Sequence, residues 1–280
     1  MLSLNIINEI NTMLSYEFIT RALIVGIIVS ICASLLGVSL VLKRYSMIGD
    51  GLSHVAFGAL AIATVLNISP LYFSIPVVIL IAFLLLNLKD SSKIKGDSAI
   101  AIISAGSMAI GVMFISVTIG INIDICNYLF GSILAMRYAD VILSVILGII
   151  VLLIFILFYN RIFAVTFDES FASATGLKVK MYNLLIAVLT AITIVLGMRL
   201  MGSLLIASLI IFPAITSMQI FKNFKSVIIS AAIISVTCFI TGFFISYLYA
   251  TPVGASIVCV DLIVLALFSL IAFIKRRVAI

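Results

Sequence analysis

The sequence predicts an all-α, polytopic integral membrane protein with about nine transmembrane helices. The first observation is composition: 65% of the 280 residues are hydrophobic, 9% are charged, and the mean hydropathy is +1.45. Soluble domains carry about 25% charged residues, so two or three soluble domains of this length are excluded. The second observation is that apolar runs of about 20 residues, enough to cross a bilayer, recur along the whole chain. The third is the spacing of the basic residues between those runs.

Nine apolar runs are long enough to be considered as membrane spans. The run at 48–66 contains Asp50 and His54, and the runs at 183–198 and 202–220 are short, so eight spans are the alternative. The full set is 18–42, 48–66, 71–88, 98–119, 140–159, 183–198, 202–220, 227–249 and 256–274.

The basic residues are consistent with nine spans. Five clusters hold 13 of the 16 Lys and Arg residues, and two apolar runs separate each cluster from the next. All five can therefore lie in the cytoplasm, as the positive-inside rule requires, with the N-terminus outside and the C-terminus inside. The clusters are Lys43/Arg44, Lys89/Lys93/Lys95, Arg161/Lys178/Lys180, Lys222/Lys225 and Lys275/Arg276/Arg277.

The segments outside the spans are short. Residues 1–17 have apolar positions three and four apart, which predicts an amphipathic helix on the membrane surface. Residues 18–280 form one transmembrane domain. A short interfacial helix is expected on the outer side within 121–140, and the longest cytoplasmic loop is 160–181.

Asp50 and the single histidine of the chain, His54, are four residues apart in the second span. On a helix, residues at this spacing share a face. Ten residues beyond Arg44, at 1.5 Å each, His54 lies roughly 15 Å deep, near the midplane of the bilayer. An ionisable pair at that depth should face the bundle interior or a hydrated cavity.

Carboxylate and imidazole together suit zinc, manganese or ferrous iron. The alternative is a buried Asp50–His54 hydrogen bond that only joins helices, and we favour a metal or proton pathway over it. Two ligands are too few, because zinc normally takes four. We therefore hypothesise that two copies of the chain meet on a two-fold axis, so that two Asp50 and two His54 side chains complete one site.

Asp261 is the other acid within a span, which makes it a candidate for the transport pathway. The reading that we favour for it is a neutral or hydrogen-bonded acid that holds helices together, near Arg199. Asp124 and Asp140 are expected to be solvated acids of the outer loops.

The inner loop contains the sequence FDESFASATG at 167–176. The acids Asp168 and Glu169 favour the start of a helix, and Gly176 favours its end, which predicts a two-turn helix at the inner membrane surface. The chain has no GxxxxGK[ST] motif, so it lacks that means of binding ATP, and it is expected to be a transport subunit rather than an enzyme.

Four stretches resemble permease subunits of bacterial zinc, manganese and iron ABC importers. Residues 46–54 (SMIGDGLSH) are similar to that family's D-x-x-S-H segment, and residues 167–176 to its cytoplasmic FDE…A…G helix. Residues 201–214 are similar to its GSLL…PA segment, and residues 251–258 (TPVGASIV) to the stretch before its last span. The family usually has A-V-L-P-G after the histidine, whereas this chain lacks that proline, so a straighter span is expected.

The resemblance implies a homodimeric permease in the bacterial inner membrane that works with two copies of a separate ATPase and with an external metal-binding protein. It assigns Asp50 and His54 to metal passage. It also makes 168–177 the coupling helix that docks on the ATPase, with Asp168, Glu169, Phe171 and Gly176 in the docking region. The transported ion is zinc, manganese or iron, with zinc favoured, and no cofactor is expected to stay bound.

A rival interpretation is a stand-alone secondary carrier or channel that uses Asp50, His54 and Asp261 as a proton relay. Dependence on a separately encoded ATPase distinguishes the two. A third interpretation, an intramembrane enzyme, has no catalytic pair to support it.

Overall fold

The computed structural model describes residue 13 and residues 15–91, 96–118 and 138–278. Within these residues the chain forms ten α-helices and no strand. The helices are α1 (Glu17–Leu42), α2 (Ser46–Val65), α3 (Pro70–Ser91), α4 (Gly96–Thr118), α5 (Tyr138–Leu157), α6 (Tyr159–Phe167), α7 (Glu169–Ala174), α8 (Val179–Ile220), α9 (Phe224–Tyr249) and α10 (Val253–Val278). The surface helix predicted at 1–17 and the interfacial helix predicted within 121–140 fall almost wholly outside the described residues.

Eight helical segments in the described part of the chain are long and apolar enough to cross a membrane. Each coincides with a predicted span, and α8 supplies two of them, Val179–Arg199 and Met201–Ile220. The segment predicted at 71–88 is also helical, within α3, and its stretch Pro70–Leu85 is apolar. The prediction of an all-α, multi-pass membrane protein is confirmed.

Helix α8 reverses direction at Gly202, where the backbone takes φ 80° and ψ 168°. L-residues with a side chain rarely adopt this conformation. A Cβ placed on Gly197 would lie 2.5 Å from Cδ1 of Ile206, although nine residues of straight helix span about 13 Å. The two halves of α8 therefore pack side by side as an antiparallel hairpin.

Helix α1 packs against both halves of this hairpin. Lys43 contacts Asn183 in the first half, and Val29 lies beside Gly197 near the end of that half, so α1 runs antiparallel to it. The backbones of α1 and the second half approach so closely that a Cβ on Gly37 would lie 1.9 Å from the carbonyl oxygen of Ile210. Glycine at position 37 is what allows this contact.

Helices α2 and α4 pack in parallel along their length. A Cβ on Gly51 would lie 2.5 Å from Cγ2 of Ile100, and a Cβ on Gly58 would lie 2.5 Å from the carbonyl oxygen of Ser107. The absence of side chains at these positions lets α4 cover one face of α2, the helix that carries Asp50 and His54.

The directions of the helices place four basic clusters at one end of the bundle, which we call the α7 face. This end contains α6, α7 and the end of α1, and Phe224 at the start of α9 packs there against Phe163 and Phe167. Helix α10 runs back from the opposite end, since Ile257 lies beside Gly242 of α9. The clusters on the α7 face are Lys43/Arg44, Arg161/Lys178/Lys180, Lys222/Lys225 and the end of α10 at 275–277.

Candidate functional site

A tight turn between α1 and α2 determines where α2 begins. Arg44 adopts a left-handed backbone conformation, with φ 59°. The amide of Tyr45 donates to the carbonyl of Leu40 at 2.8 Å, and the amide of Arg44 donates to the carbonyl of Val41 at 3.0 Å. This pair of bonds is the Schellman pattern that ends a helix. Because Ser46 already belongs to α2, Asp50 lies in the second turn of the helix.

Asp50 and His54 share one face of α2, as the sequence predicts. Nε2 of His54 lies 3.7 Å from Oδ1 of Asp50, too far for a direct hydrogen bond. The His54 side chain is 23% exposed and that of Asp50 is 45% exposed. The pair is therefore adjacent, partly open to its surroundings and not joined to each other by a bond.

The open surface is a narrow stripe on an otherwise buried helix. Met47 continues the stripe toward the α7 face and is exposed, whereas Leu52, Ser53 and residues 55–61 are buried by this chain's own helices. The Ser53 hydroxyl donates to the carbonyl of Asp50 at 2.7 Å. We call Met47, Asp50 and His54 the α2 stripe; it faces away from the core of the chain.

The described residues of one chain offer too few ligands for a closed metal site. Among the described residues, no group of three or more His, Cys, Asp or Glu side chains is placed to hold a metal ion. Asp50 and His54 supply one oxygen-bearing and one nitrogen-bearing side chain, and Nδ1 of His54 is buried without a hydrogen-bond partner. Any ion held at the α2 stripe needs ligands from elsewhere.

Asp261 is buried in α10, with 1% of its surface exposed. Among the described residues, neither carboxylate oxygen has a hydrogen-bond partner, and the polar neighbour of the carboxyl group is the thiol of Cys238 on α9. The expectation that Asp261 lies near Arg199 is not supported, since Arg199 pairs with Asp140 instead.

Asp140 is not the solvated loop acid that the sequence predicts. Helix α5 begins at Tyr138, so Asp140 lies in its first turn, where it is 7% exposed. Oδ2 of Asp140 lies 2.9 Å from Nη1 of Arg199, at the end of the first half of α8. The carboxylate is buried because a guanidinium from another helix neutralises it.

The loop at 160–181 contains α6 and the short helix α7. The Asp168 carboxylate accepts a hydrogen bond from the amide of Phe171 at 3.0 Å and so caps the start of α7. At the other end Gly176, with φ 85°, donates to Ser173, and Leu177 donates to Ala172, both at 3.0 Å. These bonds form a Schellman cap, so α7 starts and ends where the sequence predicts, in six residues rather than two full turns.

The two sides of α7 have different surroundings. Ala172 is fully buried in a small cluster with Val165 and Tyr182, whereas the Phe171 ring is 63% exposed. Glu169 contacts Lys43 and Asn183, with Nζ of Lys43 at 2.8 Å from its Oε1. Sequence reasoning missed Lys43 and Asn183, because no local pattern relates positions 126 and 14 residues away from Glu169.

The fold and the α2 stripe define a class of protein: a multi-pass membrane transport protein whose basic clusters in the described residues lie at one end and whose one histidine lies within a span. The model of the ABC 3 transport family matches residues 15–275. The chain therefore belongs to that family, and the resemblance to the permeases of bacterial metal ABC importers is confirmed.

The known relatives are similar over almost their whole length. The chain is 30% identical over 267 residues to the manganese import system permease protein ScaB of Streptococcus gordonii, covering 94% of this chain and 96% of that protein. It is 32% identical over 255 residues to the high-affinity zinc uptake system membrane protein ZnuB of Haemophilus influenzae, covering 90% and 98%. Among solved structures, PsaBC from Streptococcus pneumoniae in complex with Fab matches with a TM-score of 0.84 and 31% identity, covering 96% and 95%.

Proposed function

We propose that this chain is the ion-conducting permease of an ABC importer for a divalent transition metal, powered by a separate ATPase. The observation that carries the proposal is the α2 stripe, where Asp50 and His54 lie 3.7 Å apart and partly exposed on a helix that is otherwise buried. Ionisable side chains within a span are costly unless they are paired or face a hydrated cavity. Where they occur, they commonly mark a transport pathway. These two are not hydrogen-bonded to each other, and their own chain leaves both partly exposed.

A second copy of the chain completes the site in this proposal. Two α2 stripes that face each other bring together two carboxylates and two imidazoles, which matches the four ligands that zinc takes. A ligand set divided between two chains also opens when the chains move apart, so an ion can be released. The ion is therefore cargo, held only in transit, and no permanent cofactor is required.

The proposed orientation places the α7 face in the cytoplasm, with the C-terminus there and the N-terminus outside. Four basic clusters lie on this face, as the positive-inside rule expects of the cytoplasmic side. The exposed ring of Phe171 on α7 gives an ATPase dimer an apolar anchor, and Asp168 and Gly176 fix the ends of that helix. An external metal-binding protein then delivers its ion at the opposite end of the bundle, near Arg199.

The donor atoms favour zinc as the transported ion. Imidazole and carboxylate accept zinc, manganese and ferrous iron, but the general affinity order places zinc well above manganese. The named relatives include both a manganese and a zinc system, so the choice rests on the donor set.

The test is ATPase-dependent uptake of radiolabelled zinc and manganese by cells that make wild type, Asp50→Ala or His54→Ala at matched membrane levels. Ile62→Ala, at the far end of α2, is the matched control. Each site variant is expected to reduce uptake at least tenfold, and the control should transport normally. If both site variants transport normally, the pair is structural. If uptake persists without any ATPase subunit, the chain is a stand-alone carrier.

A further inference from the structure

Lys43 joins the end of α1 to α7 through a compact polar cluster. Its ammonium donates to Oε1 of Glu169 at 2.8 Å and to Oδ1 of Asn183, and Nδ2 of Asn183 donates to the same Glu169 oxygen at 3.2 Å. The Lys43 side chain is 5% exposed, whereas that of Glu169 is 49% exposed. We call these three residues the Lys43 cluster.

Burial makes Lys43 dependent on this cluster. A buried ammonium is costly unless it is paired and hydrogen-bonded, and Glu169 supplies the opposite charge while Asn183 supplies a second acceptor. Because Glu169 is the first residue of α7, a displacement of α7 either carries the Lys43 side chain with it or separates the buried ammonium from the Glu169 carboxylate.

Lys43 is in turn tightly connected to Asp50. Only Arg44 and Tyr45 separate it from α2, and both amides are bonded back to α1, at 3.0 Å and 2.8 Å. Tyr45 also packs against the hydrophobic core. The amide of Ile48 in α2 donates to the carbonyl of Tyr45 at 3.0 Å, so the turn is bonded to α1 on one side and to the first turn of α2 on the other.

Two residues of helix α7 serve different contacts: Glu169 contacts α1, and Phe171 is available to the ATPase. Phe171 points away from the bundle and is 63% exposed, while Glu169 reaches toward α1. The proposed docking contact and the contact with α1 are two residues apart on a helix whose ends are capped. Movement imposed at Phe171 is passed to Glu169 with little loss.

We propose that Lys43 is the positioning residue that transmits the movement of α7 to α2, and so changes the position of Asp50 and His54 when the ATPase closes. This inference rests on the proposed function, because it requires an ATPase at α7. It assigns Glu169 to the connection with α1 rather than to the docking surface.

The first test measures metal ions transported per ATP hydrolysed by the permease and its ATPase in proteoliposomes. The variants are Lys43→Met, Glu169→Gln and the exchanged pair Lys43→Glu/Glu169→Lys, in which Asn183 can still bond both partners because its amide donates and accepts. Lys180→Met, an exposed lysine on the same face, is the matched control. Each single variant should bind the ATPase normally and lose at least fivefold in ions per ATP, and the exchanged pair should recover at least half of the wild-type ratio.

The second test does not depend on metal transport. Met47→Cys, on the α2 stripe, is introduced after Cys126 and Cys259 are replaced by serine, and its rate of thiol labelling is compared with and without ATP. The rate should change at least threefold in the wild-type background and stay unchanged with Lys43→Met. An equal response in both backgrounds, or none in either, overturns the role of Lys43, as does an unchanged ion-to-ATP ratio in the single variants. Absence of metal uptake by the wild type, with the labelling response intact, contradicts the proposed function instead.

Discussion

Asp140 and Arg199 form an ion pair at the end of the bundle opposite α7, with Oδ2 of Asp140 at 2.9 Å from Nη1 of Arg199. The two side chains are only 10% and 14% exposed, and they come from the first turn of α5 and the last turn before the reversal in α8. The pair fixes the tip of the α8 hairpin to α5.

Loss of either partner of this pair should destabilise the protein. Asp140→Asn removes the carboxylate charge from beside the mostly buried Arg199 guanidinium, and Arg199→Met removes that guanidinium from beside the Asp140 carboxylate. Removing one partner of a buried pair costs about 3 kcal/mol. We expect a clear fall in the melting temperature in detergent for each single variant and a value closer to wild type for the double variant. Equal effects of the single and double variants would contradict this account.

The glycine at position 37 should not tolerate even one added carbon. In Gly37→Ala the new Cβ meets the carbonyl oxygen of Ile210 at 1.9 Å, and this oxygen belongs to the backbone and cannot rotate away. We expect a large loss of folded protein on size-exclusion chromatography. Gly106→Ala is the control, since nothing lies within 4 Å of its Cβ position, and alanine there favours the helix by about 1 kcal/mol.

The reversal of α8 can be tested by cross-linking. Cysteines at Gly197 and Ile206 should form a disulfide under mild oxidation, because a Cβ at position 197 lies 2.5 Å from the Ile206 side chain. A continuous helix would hold the two positions about 13 Å apart. The four native cysteines are replaced first, and the bond is detected by mass spectrometry. A pair of cysteines at Gly197 and Ala214 serves as the control and should stay reduced.

Asp261→Asn should leave transport nearly unchanged. Asp261 is 1% exposed, and no cation among the described residues pairs with its carboxyl group. This favours a neutral group with a packing role, and asparagine has almost the same shape. We expect zinc uptake within twofold of wild type at matched membrane levels. A loss of uptake comparable to that of His54→Ala, in protein that still folds, would place Asp261 on the pathway.

The helices of this protein could be predicted from sequence because a bilayer imposes a length on every apolar run. The bounds at 18–42 and 227–249 differ from α1 and α9 by at most three residues. The shared face of Asp50 and His54 was also predictable, since it follows from helix periodicity alone.

Contacts between distant segments could not be predicted in the same way. Asp140 was expected in a loop because it lies at the edge of an apolar run, and its burial depends on Arg199, 59 positions away in the chain. Lys43 was interpreted as one of a cluster of cytoplasmic charges, and its burial depends on Glu169 and Asn183. In each case the partner is chosen by helix packing, which leaves no periodic trace in the sequence.

The reversal at Gly202 also constrains how the protein is made. Between Met181 and Phe221 the only charged residue is Arg199, and the two halves of α8 are joined without a polar loop. No hydrophilic segment follows the first half that could stay in the aqueous phase while the second half is synthesised. We therefore expect both halves to enter the lipid together as one hairpin, with Arg199 at its tip meeting Asp140 of α5, which precedes them in the chain.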